Sequence, residues 1–295
     1  MKRTSLKRIA ASFVVLFIAA LSVLPVHADM GPKPGTTIVV ENPPDVYYLD
    51  LLIPDGEYEF HSNLTEEERA ACDPEMLAAL EAQRQDGWHT ALVTGTAAPL
   101  FGSLTGVREE RGAAHTFSYF GVPDTYRILI VTEDLQVMTS EILTKKVFQE
   151  TIRVKLDPET GSIAVTESPS VPLLYLGQFA ATFVPTVLVE FLILLLFRIP
   201  VKKNLLVFFG VNLATQLLLT GIMTSTLVSS GLLTAYLILL PLELVILAVE
   251  MTAYAFLLRG VSKARRIAYA AAANVVSAAA GFFLIGIADS FINIL

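Results

Sequence analysis

The chain has 295 residues, 54% of them hydrophobic, which is enough for two modest domains. Its net charge of −7 hides two unlike halves: residues 29–170 contain 10 Lys/Arg against 24 Asp/Glu, whereas residues 171–295 contain 7 against 4. An acidic half followed by an apolar half with few charges excludes nucleic acid as an expected partner.

The first 28 residues have the pattern of a secretory signal peptide. Four basic residues within the first eight positions precede an apolar run over residues 9–24, which is short for a membrane span. Val26 and Ala28 then supply the pattern of a signal peptidase site. We expect cleavage after Ala28, and the alternative is an uncleaved anchor helix.

Residues 29–170 predict an exported, acidic α+β domain, a β-sandwich that carries a helical insert. Thr65 and Glu68 have the spacing of a capping box, which predicts a helix that begins at residue 66. Asp73 followed by Pro74 predicts the start of a second helix, which extends to about Arg84. Alternating or β-branched runs predict strands at residues 37–40, 46–52, 90–93, 115–120, 126–132, 146–156 and 162–166.

The exported domain has no pattern typical of an enzyme. His61, His89 and His115 are isolated in the sequence, and neither a catalytic triad nor a phosphate-binding loop stands out. The single cysteine, Cys72, excludes an internal disulfide. We therefore expect no cofactor, and the sequence leaves a metal site undecided.

Four apolar segments follow, at residues 171–197, 205–228, 232–258 and 267–288. Each exceeds the roughly 20 residues that cross a hydrocarbon core, so residues 171–295 predict a four-helix transmembrane bundle. Lys and Arg lie in the first and third connections and are missing from the second, which by the positive-inside rule makes the first and third cytoplasmic. The chain is thus predicted to be a multi-pass protein of the plasma membrane, with residues 29–170 and the C-terminus outside. The lipid bilayer is its expected partner, and a protein partner or a second copy of the chain stays open.

Polar side chains recur within the predicted helices, and we call them the polar seam. Its members are Glu190, Asn212, Gln216, Glu243, Glu250 and Asn274. At about 1.5 Å per residue, one member in each helix lies roughly 10–12 Å from the cytoplasmic end. No Lys, Arg or His lies in the spans to pair with the three glutamates, which are costly in a membrane unless they are protonated, paired or hydrated. The seam has three interpretations: hydrogen bonds that hold the helices together, a proton or cation site, or a site for another ligand.

Residues 29–34, with the sequence DMGPKP, resemble the opening of a family of uncharacterised bacterial membrane proteins. The likeness continues at residues 119–129 and 211–216, and at Glu190, Glu250 and Tyr254 in the neighbouring helices. It covers most of the chain. The resemblance implies an exported domain followed by four C-terminal transmembrane helices, and it implies no activity.

Three classes of function fit this sequence. The first is a membrane-anchored extracytoplasmic binding or sensory/accessory protein, which the acidic exported domain favours. The second is a small ion- or proton-coupled transporter, or a transporter subunit, that uses the polar seam. The third is an intramembrane enzyme, against which the lack of histidine in every predicted span argues, because neither a Ser–His dyad nor an H-E-x-x-H zinc motif can form there.

Overall fold

The computed structural model describes residues 31–84, 87–110 and 112–294, with side chains up to residue 279. The predicted signal peptide, residues 1–28, lies outside these described residues. From Lys33 onward the described residues belong to one compact unit, in which a mixed β-sheet is followed by long apolar helices.

The described elements fall into two groups: strands, with two short helices between the second and the third, and then long helices. The strands are β1 Gly35–Glu41, β2 Tyr47–Pro54, β3 Trp88–Thr90, β4 Val107–Glu109, β5 Gly112–Ser118, β6 Thr125–Thr132, β7 Val137–Ser140, β8 Leu143–Thr144, β9 Gln149–Asp157 and β10 Ser162–Glu167. The helices are α1 Glu66–Ala71, α2 Pro74–Glu81, α3 Val171–Leu196, α4 Val201–Leu257 and α5 Lys263–Ile294. The sequence had indicated neither β4, β7 nor β8, which are short strands of two to four residues.

The described strands form one hydrogen-bonded sheet rather than the two antiparallel sheets of the predicted sandwich. The strand order is β3-β2-β6-β7-β10-β9-β1-β5-β4, and β8 pairs with β6. β1 lies parallel to β9, and β7 lies parallel to β10. The β1–β9 pair joins residues more than a hundred positions apart in the sequence, and such pairing depends on long-range contacts, which alternation within each strand does not encode.

One predicted strand, residues 90–93, was wrong over most of its length. β3 ends at Thr90, and a turn follows. The cause is the carboxylate of Asp50, which accepts hydrogen bonds from the backbone N–H groups of Leu92, at 3.0 Å, and Val93, at 3.2 Å. These backbone N–H groups would donate to a neighbouring strand in a sheet, but here they donate to a side chain of β2, so the strand does not continue.

The helical insert confirms the predicted capping box. The Thr65 hydroxyl accepts from the backbone N–H of Glu68 at 3.1 Å, and the Glu68 carboxylate accepts from the backbone N–H of Thr65 at 2.8 Å. Those hydrogen bonds also lower the pKa of Glu68. The Asp73 side chain caps α2 by accepting from the backbone N–H groups of Glu75 and Met76, and α2 ends at Glu81 rather than near Arg84. It buries Met76, Leu77 and Leu80 in the core of the sheet domain.

The long helix α4 is interrupted at Gly231, where φ is 77° and ψ is 179°. Side chains of residues 201–230, the first half of α4, bond to side chains of residues 232–257, the second half. The two halves therefore lie side by side. The ring of Phe148, just before β9, covers the break so closely that a Cβ on Gly231 would lie 2.7 Å from it. The sheet domain thus contacts α4 where the helix turns back.

The distribution of polar and apolar side chains in the helices is the reverse of that in a soluble protein. α3 buries four residues of 26, and two of them are Gln178 and Glu190. Leucines face outward instead: Leu196 is 78% exposed and Leu206, in α4, is 89% exposed. By length and composition, α3 and α4 could each cross a membrane. In the most apolar 18-residue stretch of each helix, only 17% of the residues of α3 and 22% of those of α4 are buried. A core helix of a soluble protein would have its leucines inside.

Candidate functional site

Two rows of polar side chains face each other between α3 and the first half of α4, and we call them the polar ladder. Its rows are Gln178, Thr182, Thr186 and Glu190 in α3, and Asn212, Gln216, Thr220 and Thr224 in α4. Four-residue spacing places the members of each row on one face of their helix. The rows run antiparallel, because the Thr224 hydroxyl donates to the Gln178 amide oxygen at 2.6 Å and the Gln216 amide donates to the Thr182 hydroxyl at 2.6 Å.

Glu250 connects three helical segments beside this ladder. Its Oε1 accepts a hydrogen bond from the Thr215 hydroxyl at 2.6 Å, and its Oε2 accepts one from the Asn274 amide at 2.8 Å. Glu250 itself lies in the second half of α4 and is 2% exposed. Both carboxylate oxygens therefore have a donor, and the residue joins both halves of α4 to α5.

Glu190 is held less completely than Glu250. The Ser277 hydroxyl of α5 donates to its Oε1 at 3.3 Å. Its Oε2 has no hydrogen-bond partner among the described residues, although the side chain is 1% exposed. A buried acceptor without a donor costs about 1–3 kcal/mol, and more if it is charged.

Asn212 lies at the end of the ladder nearest the α3–α4 connection. Its amide donates to the Tyr254 hydroxyl at 2.8 Å and to the Phe208 carbonyl at 3.1 Å. Tyr254 packs against Tyr269, with ring centroids 5.4 Å apart. These rings, with Leu194 and neighbouring alanines, form an apolar layer that closes this end.

Between the helices lies a cavity of about 40 Å³. A water molecule needs at least about 10–15 Å³ of cavity volume, so there is room for about three. The α3 row of the ladder lines it, together with Gln216, Thr220, Glu243, Asn274 and Ser277. A second apolar layer, which includes Met223, Leu227 and Leu239, closes the side toward Gly231.

The structure thus brings most of the polar seam together around one cavity. Glu190, Gln216, Glu243 and Asn274 line it, whereas Glu250 and Asn212 bond to side chains next to it. Glu243 is half-buried and makes no side-chain hydrogen bond to a described residue.

Sequence reasoning missed the hydroxyl and amide side chains that complete the cavity. Thr182, Thr186 and Thr220 lie in segments that read as apolar, because one threonine among leucines hardly changes their hydropathy. The available signal was four-residue spacing, which links Thr182 and Thr186 to Gln178 and Glu190, and Thr220 to Gln216.

The histidines of the sheet domain do not form a site. His89 lies between the Asp55 carboxylate, 2.7 Å from its Nδ1, and the Gly95 carbonyl, 3.1 Å from its Nε2. His115 bonds to the Tyr47 hydroxyl at 2.7 Å through Nε2, and burial lowers the pKa of His115 to about 4. In the part of the chain that the structure describes, no three His, Cys, Asp or Glu residues lie together as a metal centre would require.

Comparison with known proteins adds no relative: the chain matches no family model, no curated protein and no solved structure. The likeness of residues 29–34 to a bacterial membrane-protein family accordingly stays a prediction, and function has to be argued from the cavity.

Proposed function

We propose that this protein is an integral membrane protein whose helices bind a small cation or a proton in the course of transport, either as a small transporter or as a subunit of one. The observation that carries the proposal is Glu190, whose Oε2 is buried, lacks a donor among the described residues and belongs to a cavity wall. Buried ionisable groups within membrane spans are costly, and they typically mark ion or proton pathways.

The membrane location is supported by the reversed polarity of α3 and α4. Apolar side chains such as Leu192, 60% exposed, and Leu206, 89% exposed, would meet lipid, while the threonines and glutamates are kept inside. With the two halves of α4 taken separately, the chain would cross four times. The basic residues near the α3–α4 and α4–α5 connections would be cytoplasmic, and the sheet domain and C-terminus would be outside.

Cys72 offers a direct test of this orientation, because it is the single cysteine of the chain and lies half-buried in the sheet domain. A membrane-impermeant maleimide added to intact cells should label it as fully as in permeabilised cells. Labelling that requires permeabilisation would place the sheet domain in the cytoplasm and contradict the topology.

The transport proposal is tested with the purified protein in liposomes. Under an imposed sodium or proton gradient, the wild type should move ions faster than protein-free liposomes, and Glu190→Gln should not. Glu159→Gln, in an exposed turn of the sheet domain, is the matched control and should behave as wild type. Equal ion flux with wild type and with Glu190→Gln would show that Glu190, and the cavity that it lines, is not needed for transport.

A binding role for the sheet domain is a second candidate, favoured by a surface groove of about 320 Å³. Its walls include Pro54, Tyr58, Phe120 and Pro123, and Phe120 is 56% exposed. Concave, largely apolar grooves with aromatic walls are typical of ligand sites. A thermal-shift screen of small molecules should find a ligand whose effect Phe120→Ala abolishes. An effect that persists in this variant would locate the ligand elsewhere.

A further inference from the structure

At Asn274 and Gln216, two residues of the cavity wall, hydrogen bonds use the amide nitrogen and leave the amide oxygen. The Asn274 amide nitrogen is occupied by two acceptors, the Glu250 carboxylate at 2.8 Å and the Ala270 carbonyl at 3.0 Å. Because both partners are acceptors, the amide nitrogen must face them, and the Oδ1 has no hydrogen-bond donor among the described residues. The Thr182 hydroxyl donates to the Gln178 carbonyl at 2.8 Å and therefore accepts from the Gln216 amide nitrogen at 2.6 Å, which leaves the Gln216 Oε1.

Asn274 and Gln216 line the cavity together with Thr186, Thr220 and Glu190, and the Glu190 Oε2 has no hydrogen-bond partner among the described residues. The α3 and α4 sequences around the cavity contain no Lys, Arg or His from residue 171 to 197 or from 204 to 258. The wall also holds hydroxyl groups, which can accept as well as donate, and it therefore supplies the carboxylate, carbonyl and hydroxyl oxygens that a hard cation prefers.

The charge and the size of the site restrict the cation. Glu190 is the one fully buried carboxylate in the described wall that lacks a donor on one oxygen, since Glu250 uses both of its own and Glu243 is half-buried. Divalent ions usually take several carboxylates, and no group of three acidic or His/Cys ligands occurs in the described part of the chain. A space for about three water-sized spheres accommodates one ion that has lost most of its water.

We infer that the cavity binds a single alkali metal cation, with Glu190 Oε2, Asn274 Oδ1 and Gln216 Oε1 as ligands. This assignment rests on the ion-binding function proposed above and narrows it to one class of ion. The cation would neutralise the buried carboxylate of Glu190. It would also bind the amide oxygens of Asn274 and Gln216, whose amide nitrogens are used in contacts between helices.

The test is the thermal unfolding of the full-length protein in detergent, in sodium or potassium chloride against choline chloride at equal ionic strength. When the cation exceeds its Kd about 100-fold, the unfolding equilibrium constant should fall about 100-fold, which appears as a higher midpoint. Glu190→Gln should lose the response and Glu159→Gln should keep it. Binding of radioactive sodium to the folded fraction from gel filtration provides a second measurement, in case Glu190→Gln unfolds easily.

Four results would overturn the inference. Equal midpoints in sodium, potassium and choline across the pH range would mean that no alkali cation binds. A response that Glu190→Gln retains would place the ion elsewhere, and a response to calcium or magnesium alone would make the site divalent. A midpoint that depends on pH but not on the salt would identify a proton as the ligand. That last outcome refutes the alkali cation while leaving ion-coupled transport intact, and the liposome experiment decides transport independently.

Discussion

Replacing Gly231 by alanine should destabilise the protein by about 3 kcal/mol, as the result of two separate costs. The first is backbone strain: with φ 77° and ψ 179°, Gly231 occupies a region open essentially to glycine, where another residue costs about 1–3 kcal/mol. The second is a clash, since the new Cβ would lie 2.7 Å from Cδ1 and 2.9 Å from Cε1 of Phe148. Forcing an extra methyl group into a packed contact costs about 1–3 kcal/mol.

A double-mutant cycle separates these two costs. Phe148→Ala removes the ring, so Gly231→Ala in that background should retain the strain and lose the clash. We expect a coupling energy of about 1–2 kcal/mol between the two sites. The measurement is unfolding of full-length protein in detergent, followed by far-ultraviolet circular dichroism, which reports on the helices.

Gly221 provides the matched control, because it lies within the first half of α4 and a Cβ there would meet nothing within 4 Å. Gly221→Ala should stabilise the helix by up to about 1 kcal/mol. If Gly231→Ala proved as harmless as Gly221→Ala, the helix break would not need glycine. If its cost were the same with and without the Phe148 ring, the sheet domain would not be packed against the break.

Three further substitutions test other contacts. Thr65→Ala removes the cap of α1 and should lower the free energy of unfolding by about 0.5–2 kcal/mol. The measurement is chemical denaturation followed by the fluorescence of the single tryptophan, Trp88 in β3, and an unchanged midpoint would show that the cap contributes nothing. Burial raises the pKa of the Asp50 carboxyl from its ordinary 3.8 to about 6, so this group is protonated more readily in the folded state than in the unfolded chain. Its contribution to the free energy of unfolding should therefore fall by about 3 kcal/mol as the pH rises from below 4 to above 6. The difference between wild type and Asp50→Asn should therefore vary with pH, and a constant difference would contradict the raised pKa. Asn212→Leu should cost about 0.5–1.5 kcal/mol in detergent, because it removes the hydrogen bond to Tyr254 between the two halves of α4 and the bond to the Phe208 carbonyl within the first half. Leu213→Ala, on the exposed face next to it, should be nearly neutral, and equal effects would argue against the reversed polarity of α4.

Local signals in the sheet domain were reliable where the interaction is local. The capping box of Thr65 and Glu68 spans three residues, and the structure forms it as the sequence predicts. The strand after Trp88 failed for the opposite reason. Asp50 lies about forty residues away, and nothing near residues 91–93 indicates that a carboxylate from β2 will take their backbone donors. A buried polar group can thus override strand propensity from a distance.

The sequence by itself determined where the apolar helices lie and which glutamates and amides they carry, because hydropathy and helical spacing are properties of neighbouring residues. The two rows of the polar ladder can also be read from the sequence, because the members of each row recur at four-residue spacing. Only the tertiary structure decided which oxygens are satisfied. Glu250 receives donors from Thr215 and Asn274, on two other helix segments, whereas Glu190 keeps one buried oxygen without a donor among the described residues. That distinction depends on how the helices meet, since a hydrogen bond between segments needs both partners within about 3 Å, a condition that no pattern within one segment can express.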